Sequence, residues 1–193
     1  MKSLSSIFLS VALLLLFQLN VAALPPCNGE GRWSIKVLTD PEAAHIDQTP
    51  KTASINELIK VRPQYSETGQ RADVERQTYE VTCRIAGYKL ESDGDIHIVM
   101  MDVNDNSVTM IAEIPNPDCP NVSGSPSAAK FRQARAQIAS YTVDRKKGEE
   151  IRKVTRGLYK LVGVGFMDEI HGQLGVAPNG IELHPLMSVT KVE

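Results

Sequence analysis

An excess of charge of one sign is missing from this chain. Lys and Arg total 21 against 23 Asp and Glu, for a formal net charge of −2. A nucleic-acid-binding surface needs a basic footprint, and this composition does not supply one. Aromatic residues make up only 5% of the sequence, with a single Trp. Recognition of single strands by base stacking is therefore poorly supported. Signatures with fixed catalytic or metal-binding spacing are also absent. There is no H-E-x-x-H, no C-x-x-C, no G-x-S-x-G, and no calcium loop of the form D-x-[DN]-x-[DN]-G. Internal repeats and low-complexity tracts are missing as well. Cysteine is limited to three residues, Cys27, Cys83 and Cys119. That odd number excludes full internal pairing.

The sequence does begin with a targeting pattern. Lys2 is followed by an apolar run from Ile7 to Phe17, and Val21-Ala22-Ala23 places small or modest residues before a cleavage point. The run is too short to cross a bilayer comfortably, because about 20 residues are needed. Residues 1–23 are expected to be a signal peptide, with the mature chain secreted or periplasmic and without a transmembrane helix. Its removal takes away one charge, Lys2, and leaves 170 residues with a net charge of −3. That length is enough for one domain with a real core. Export implies an oxidising compartment. Cys83 alternates with Val81 and Ile85 and is expected to face the core. Cys27 and Cys119 lie in Pro-rich loop sequence and are the better disulfide candidates.

Residues 24–76 read as an N-terminal extension or linker. Trp33 to Val37 alternates like a strand, Thr52 or Ser54 is placed to cap a short helix carrying Ile55, Leu58 and Ile59, and the stretch from Arg62 to Arg76 is polar. The pattern sharpens over residues 77–193. Tyr79, Val81, Cys83 and Ile85 alternate with polar residues, as do Ile96, Ile98 and Met100, and then Met110, Ala112 and Ile114. Short Asp/Asn/Gly turns join these three strands into a meander. Phe131, Ala134, Ile138 and Tyr141 then form one stripe of a helix. Two further strands follow, Leu158 to Phe166 and Ile181 to Val189. The expected fold is mainly β: a five-stranded antiparallel OB-like barrel with one helix between strands three and four. By topological analogy it also matches staphylococcal-nuclease-like domains. An α+β sheet with the helix on one face is the rival.

Alternation also assigns faces. With Ile96, Ile98 and Met100 inward, His97 points outward; with Met110, Ala112 and Ile114 inward, Glu113 points outward. In OB-like barrels this outer face and the loop between strands four and five form the usual ligand surface. Asp168, His171, Gln173 and Asn179 belong to that loop. Glu182 and His184 share the face only if barrel closure brings them round. Imidazole with carboxylate suits a divalent metal such as zinc, or a general acid/base pair. The candidate metal ligands are His97, Glu113, His171 and His184. The alternative is a set of solvated strand residues, with His171 only holding its loop.

The stretch "VGVGFMDEIHGQLGVAPNGIELHPL" (162–186) resembles a family of exported bacterial proteins of unassigned function. Their pattern runs G-V-G-F-x-D-x-x-H-G-Q-x-G-x-A-P-N-x-I-E-L-H-P. "KLESDGDIHIVM" (89–100) and "TMIAEIPNPDC" (109–119) are similar to the second and third strands of that family. The resemblance implies that Asp95, His97, Glu113, Asp168, His171, Gln173, Asn179, Glu182 and His184 occupy recurring polar positions. It implies no reaction. A nuclease of the staphylococcal type needs two arginines at its phosphate, and neither "EIPNPDC" nor "IELHPLMSV" provides one. The expected function is a secreted or periplasmic binding domain of unassigned ligand. A metal-dependent hydrolase (a nuclease-like phosphodiesterase using a His/Glu/Asp cluster) and a structural envelope protein are the alternatives.

Overall fold

A computed structural model describes residue 27 and residues 31–64, 70–143 and 150–193. The expected signal peptide, residues 1–23, lies outside them. Among the described residues no helix is long and apolar enough to cross a membrane.

The molecule is mainly β, with few helices. Strands β1 (Asp47–Thr52), β2 (Gln77–Leu90), β3 (Ile96–Met101), β4 (Thr109–Ile114), β5 (Tyr159–Met167) and β6 (Ile181–Lys191) form one sheet in the order β1-β2-β3-β4-β6-β5. Pairing of β2 with β5 closes the last five into a barrel. β1 lies outside the closure and runs parallel to β2. The short helices are α1 (Trp33–Lys36), α2 (Ile55–Leu58) and α3 (Pro120–Ser123); α4 (Ala128–Ser140) is the long one and follows β4 in the chain.

The alternating residues do line the barrel. Ile96, Ile98, Met100, Met110, Ala112, Ile114, Ile181 and Leu183 all belong to one buried cluster. Cys83 is fully buried within it, and burial, with the nearby Asp102 charge, pushes its thiol pKa up to about 12. The turns between the first strands use the expected chemistry. Gly94 takes φ +93°, and Asp102 and Asp105 accept from the backbone N–H groups of Asn104 and Ser107. Phe131, Ala134 and Ile138 bury one side of α4, and Gln137 Oε1 accepts from Val189 N on β6.

Two expectations need correction. The barrel is mixed, not antiparallel throughout: β4 pairs in parallel with β6, Ile111 opposite Glu182 and Ala112 opposite Leu183. The chain between them makes β5 and returns, so β6 arrives in the same direction as β4. Hydrophobic alternation reports faces and is blind to direction. Second, Trp33 to Lys36 is helical, not a strand. A helical turn places Arg32 and Lys36, four residues apart, on one side. Both cations sit over the Phe166 ring, 5.2 and 5.1 Å from its centroid.

The segment read as an extension or linker packs apolar residues against the barrel core. Ile35, Val37, Leu38, Ile55 and Leu58 are buried. Ser54 caps α2 with a reciprocal Glu57 contact. Two buried ion pairs brace this segment internally. Both Oε atoms of Glu75 take bonds of 2.6 Å from Arg32, and Arg71 Nη2 reaches Asp40 Oδ1 at 2.5 Å. Glu75 Oε1 also accepts from Met167 N on β5. A disulfide joins Cys27 to Cys119, beyond the end of β4.

Candidate functional site

The outer face of β3, β4 and β6 is covered. Val99, Ile111 and Phe166 point away from the barrel interior yet are buried, alongside His97, Glu182 and His184. Their cover comes from two distant parts of the chain, α1 and the loop 168–180. The loop lies close against β3. Gly175 has φ +84°, and a Cβ there would stand 2.6 Å from a methyl of Val99. Only glycine combines that backbone with that approach. Next to it, the Leu174 carbonyl lies 2.9 Å from His97 Nε2.

His97 and Glu113 are direct partners across the antiparallel β3–β4 pair. Their side chains meet, with His97 Nδ1 2.9 Å from Glu113 Oε1. Glu91, just beyond β2, brings Oε1 to 3.5 Å from the same nitrogen. His184 arrives from β6. Its Nδ1 lies 3.0 Å from Glu182 Oε1 and 3.3 Å from Glu113 Oε2, and its Nε2 is 3.6 Å from Asp95 Oδ2. Glu113 therefore joins two histidines through its two oxygens. Phe166 closes the far side of His184 edge to face, with ring centroids 5.8 Å apart. Asp95 Oδ1 accepts from Asn116 N, while Oδ2 and His184 Nε2 have no hydrogen-bond partner among the described residues.

These contacts set the charge states. Burial pulls the His184 pKa down, but Asp95, Glu182 and Glu113 outweigh it and raise it to about 9. His97 is raised the same way, with burial opposed by Glu113 and the Leu174 carbonyl. Burial disfavours ionisation of Glu113, yet His97, His184 and Lys36 hold its pKa below the ordinary value. Glu182 and Asp95 move the other way. Burial raises both, and the Glu113 charge adds to the effect at Glu182. The paired groups are thus driven apart in protonation. Lys36 completes the set, with Nζ 3.2 Å from Asp168 Oδ2.

The cluster forms the floor of a cleft of about 650 Å³. Glu91, Asp93, Asp168 and His171 line it together with Lys36 and Lys89. Of the residues singled out in the sequence, His97, Glu113 and His184 come together. Asp168 and His171 line the cleft, and His171 is exposed. Gln173 also lines it, but its side chain serves the loop, accepting from His171 N and donating to the Glu169 carbonyl. Asn179 faces elsewhere. Its side-chain nitrogen donates to the carbonyls of Leu58 and Val61 and ties α2 to the loop. Lys36, Lys89 and Glu91 were not foreseen. Glu91 carried a readable signal, since the β2–β3 turn places it beside His97; Lys36 carried none.

No family profile matches the chain, and no curated protein does. One solved structure is similar in part, described as a "putative aspartyl-tRNA synthetase from Leishmania major Friedlin". The match has 12% identity and a TM-score of 0.37, and it covers 77% of this chain and 22% of that one. A likeness so distant bears on neither fold class nor function.

Proposed function

We propose that this is an exported OB-like binding domain whose ligand sits in the cleft between the loop 168–180 and the outer face of β3, β4 and β6. One observation carries the reading. Side chains from three strands, His97, Glu113 and His184, converge under an open cleft while largely removed from water. Desolvated charge is costly, and its replacement by apolar side chains is often neutral or stabilising. Clusters of perturbed ionisable groups in a cleft mark functional sites more often than chance.

The barrel order, with β4 beside β6 and α4 between β4 and β5 in sequence, supports the OB-like description. The Cys27–Cys119 bridge favours an oxidising compartment, hence a secreted or periplasmic chain and a cleaved leader. The motif at 162–186, which resembles an exported bacterial family, supplies Gly172, Gly175 and the Leu174 carbonyl at one wall of this cleft.

A second reading, a metal-dependent hydrolase, is favoured by the two His/carboxylate groupings that share Glu113. Among the described residues the cleft lining includes no arginine, so the phosphate clamp of a staphylococcal-type nuclease has no counterpart among them.

The test is thermal-shift screening of the mature chain against charged small metabolites and divalent cations, in parallel with Ser92→Trp. Ser92 is an exposed residue of the cleft lining, and the indole would fill the mouth. Ligands that stabilise the native chain and not Ser92→Trp support the reading. Equal effects on both proteins, or none on either, would overturn it.

A further inference from the structure

We propose that Glu91, His97 and Glu113 bind one divalent transition cation of the zinc class at the floor of this cleft, a proposal that rests on the cleft being a binding site.

Donor chemistry comes first. His97 Nε2 faces the Leu174 carbonyl, which can only accept, so Nε2 keeps its proton in the neutral ring. The lone pair is then on Nδ1. That nitrogen, on a side chain only 2% exposed, faces Glu113 Oε1 at 2.9 Å and Glu91 Oε1 at 3.5 Å, two further acceptors. Without an ion, a proton on Nδ1 bridges the ring to Glu113; a cation that displaces this proton meets three acceptors aimed at one point. Histidine ligands to metals commonly donate their second ring N–H to a carbonyl or carboxylate, which fixes the tautomer. Leu174 supplies that contact here.

Geometry agrees. One ligand atom from each residue lies within 4.8 Å of the others. Zinc bonds of about 2.0–2.2 Å to nitrogen and oxygen in a tetrahedral arrangement place ligand atoms roughly 3.3–3.6 Å apart. The two distances to His97 Nδ1, 2.9 and 3.5 Å, lie within a few tenths of an ångström of that range, and the two carboxylates close the rest through their side-chain torsions. His97 and Glu113 are held by direct strand pairing. The His184 ring beside Glu113 Oε2 keeps the carboxylate ionised and turned toward His97. Glu91 is partly exposed on the cleft side and paired with Lys89 Nζ at 3.0 Å, a contact that would yield to the ion. The cleft leaves a fourth position open to water or ligand. A mixed nitrogen and oxygen set suits zinc, whereas calcium takes six to eight oxygens.

The neighbouring grouping of Asp95, Glu113 and His184 is a poorer seat. Both ring nitrogens of His184 face carboxylates, and Asp95 and His184 are almost wholly buried. That imidazole serves as the cation of its own cage.

The experiment is isothermal titration of the chelator-washed mature chain with zinc chloride, followed by the visible spectrum after cobalt(II) loading. The expected result is one ion per chain and a cobalt spectrum of four- or five-coordinate type. Affinity should fall at least about tenfold in Glu91→Gln and in His97→Gln, and stay unchanged in His171→Gln, which alters an exposed cleft histidine outside the three proposed ligands. Glu91 is partly solvated, so its variant remains informative if His97→Gln does not fold. No zinc binding, binding unchanged in Glu91→Gln, or preference for calcium would overturn the proposal. Were zinc not to bind while a small molecule still discriminated native chain from Ser92→Trp, the ion alone would be wrong; failure of both would remove the cleft reading as well.

Discussion

His184 has a carboxylate at each ring nitrogen, and this one residue governs how the molecule should respond to pH. Its pKa rises from 6.5 to about 9, so it stabilises the folded chain fully below pH 6.5 and loses that contribution as pH climbs to 9. The raised values of His97, Asp95 and Glu182 act in the same direction, because the folded chain holds protons that the unfolded chain releases. Glu113 acts oppositely. Its lowered value gives stability that is present above pH 4.5 and lost on acidification. Urea unfolding of chelator-washed protein should therefore show greatest stability at mildly acidic pH and a decline toward pH 9. The share due to His184 can change by at most about 1.4 kcal/mol per pH unit. A flat or rising profile between pH 6.5 and 9 would contradict these assignments. Much of this residue-level picture was legible. Alternation placed His97 and Glu113 on one outer face. Their burial was not legible, because the groups that exclude water, Lys36, Phe166 and the Leu174 carbonyl, lie far away in sequence.

At the scale of elements, the loop 168–180 and α1 turn an exposed strand face into the floor of a cleft. Gly175 is the tightest point. Gly175→Ala should cost about 1–3 kcal/mol for the left-handed backbone, with a further loss from the 2.6 Å approach to Val99. Adding Val99→Ala should recover the contact part and leave the backbone part, a non-additivity that a double-mutant cycle in urea would measure. Full additivity would mean that the loop does not press on β3. Asn179→Ala should release the Leu58 and Val61 carbonyls and lower stability by roughly 1–3 kcal/mol, read as a lower melting temperature. At this scale the meander, the α4 stripe and the last two strands could be read from periodicity. The direction of β6 relative to β4 could not, since parallel and antiparallel neighbours bury the same alternate side chains. The helical turn at Trp33–Lys36 was equally hidden. Its apolar residues at 33, 35 and 37 fit a short strand, whereas in the folded chain a helical turn lets Arg32 and Lys36 share Phe166.

Across the whole molecule, the N-terminal segment is an integral wall of the fold. The Arg32–Glu75 and Arg71–Asp40 pairs are buried, and Glu75 also takes a bond from β5. Removing one member of such a pair leaves the other charged and unsatisfied, so Arg71→Ala should destabilise by about 3–5 kcal/mol in chemical denaturation. A loss under 1 kcal/mol would show that this pair does not brace the segment. The disulfide spans 92 positions, and the paired change Cys27→Ser with Cys119→Ser should cost about 2–5 kcal/mol. Sequence alone made 24–76 read as an extension or linker because its apolar residues follow no single period. They pack through short turns whose partners are scattered along the barrel. The central idea is that the cleft rests on a buried, charged cluster and not on a solvated strand face. Nitrogen-15 spectra of the imidazole rings in chelator-washed protein test it most directly. At pH 7.5, both ring nitrogens of His184 should carry protons, and the ring should deprotonate only near pH 9. A neutral His184 ring at pH 7.5, titrating near the ordinary 6.5, would contradict the cluster and the site built on it.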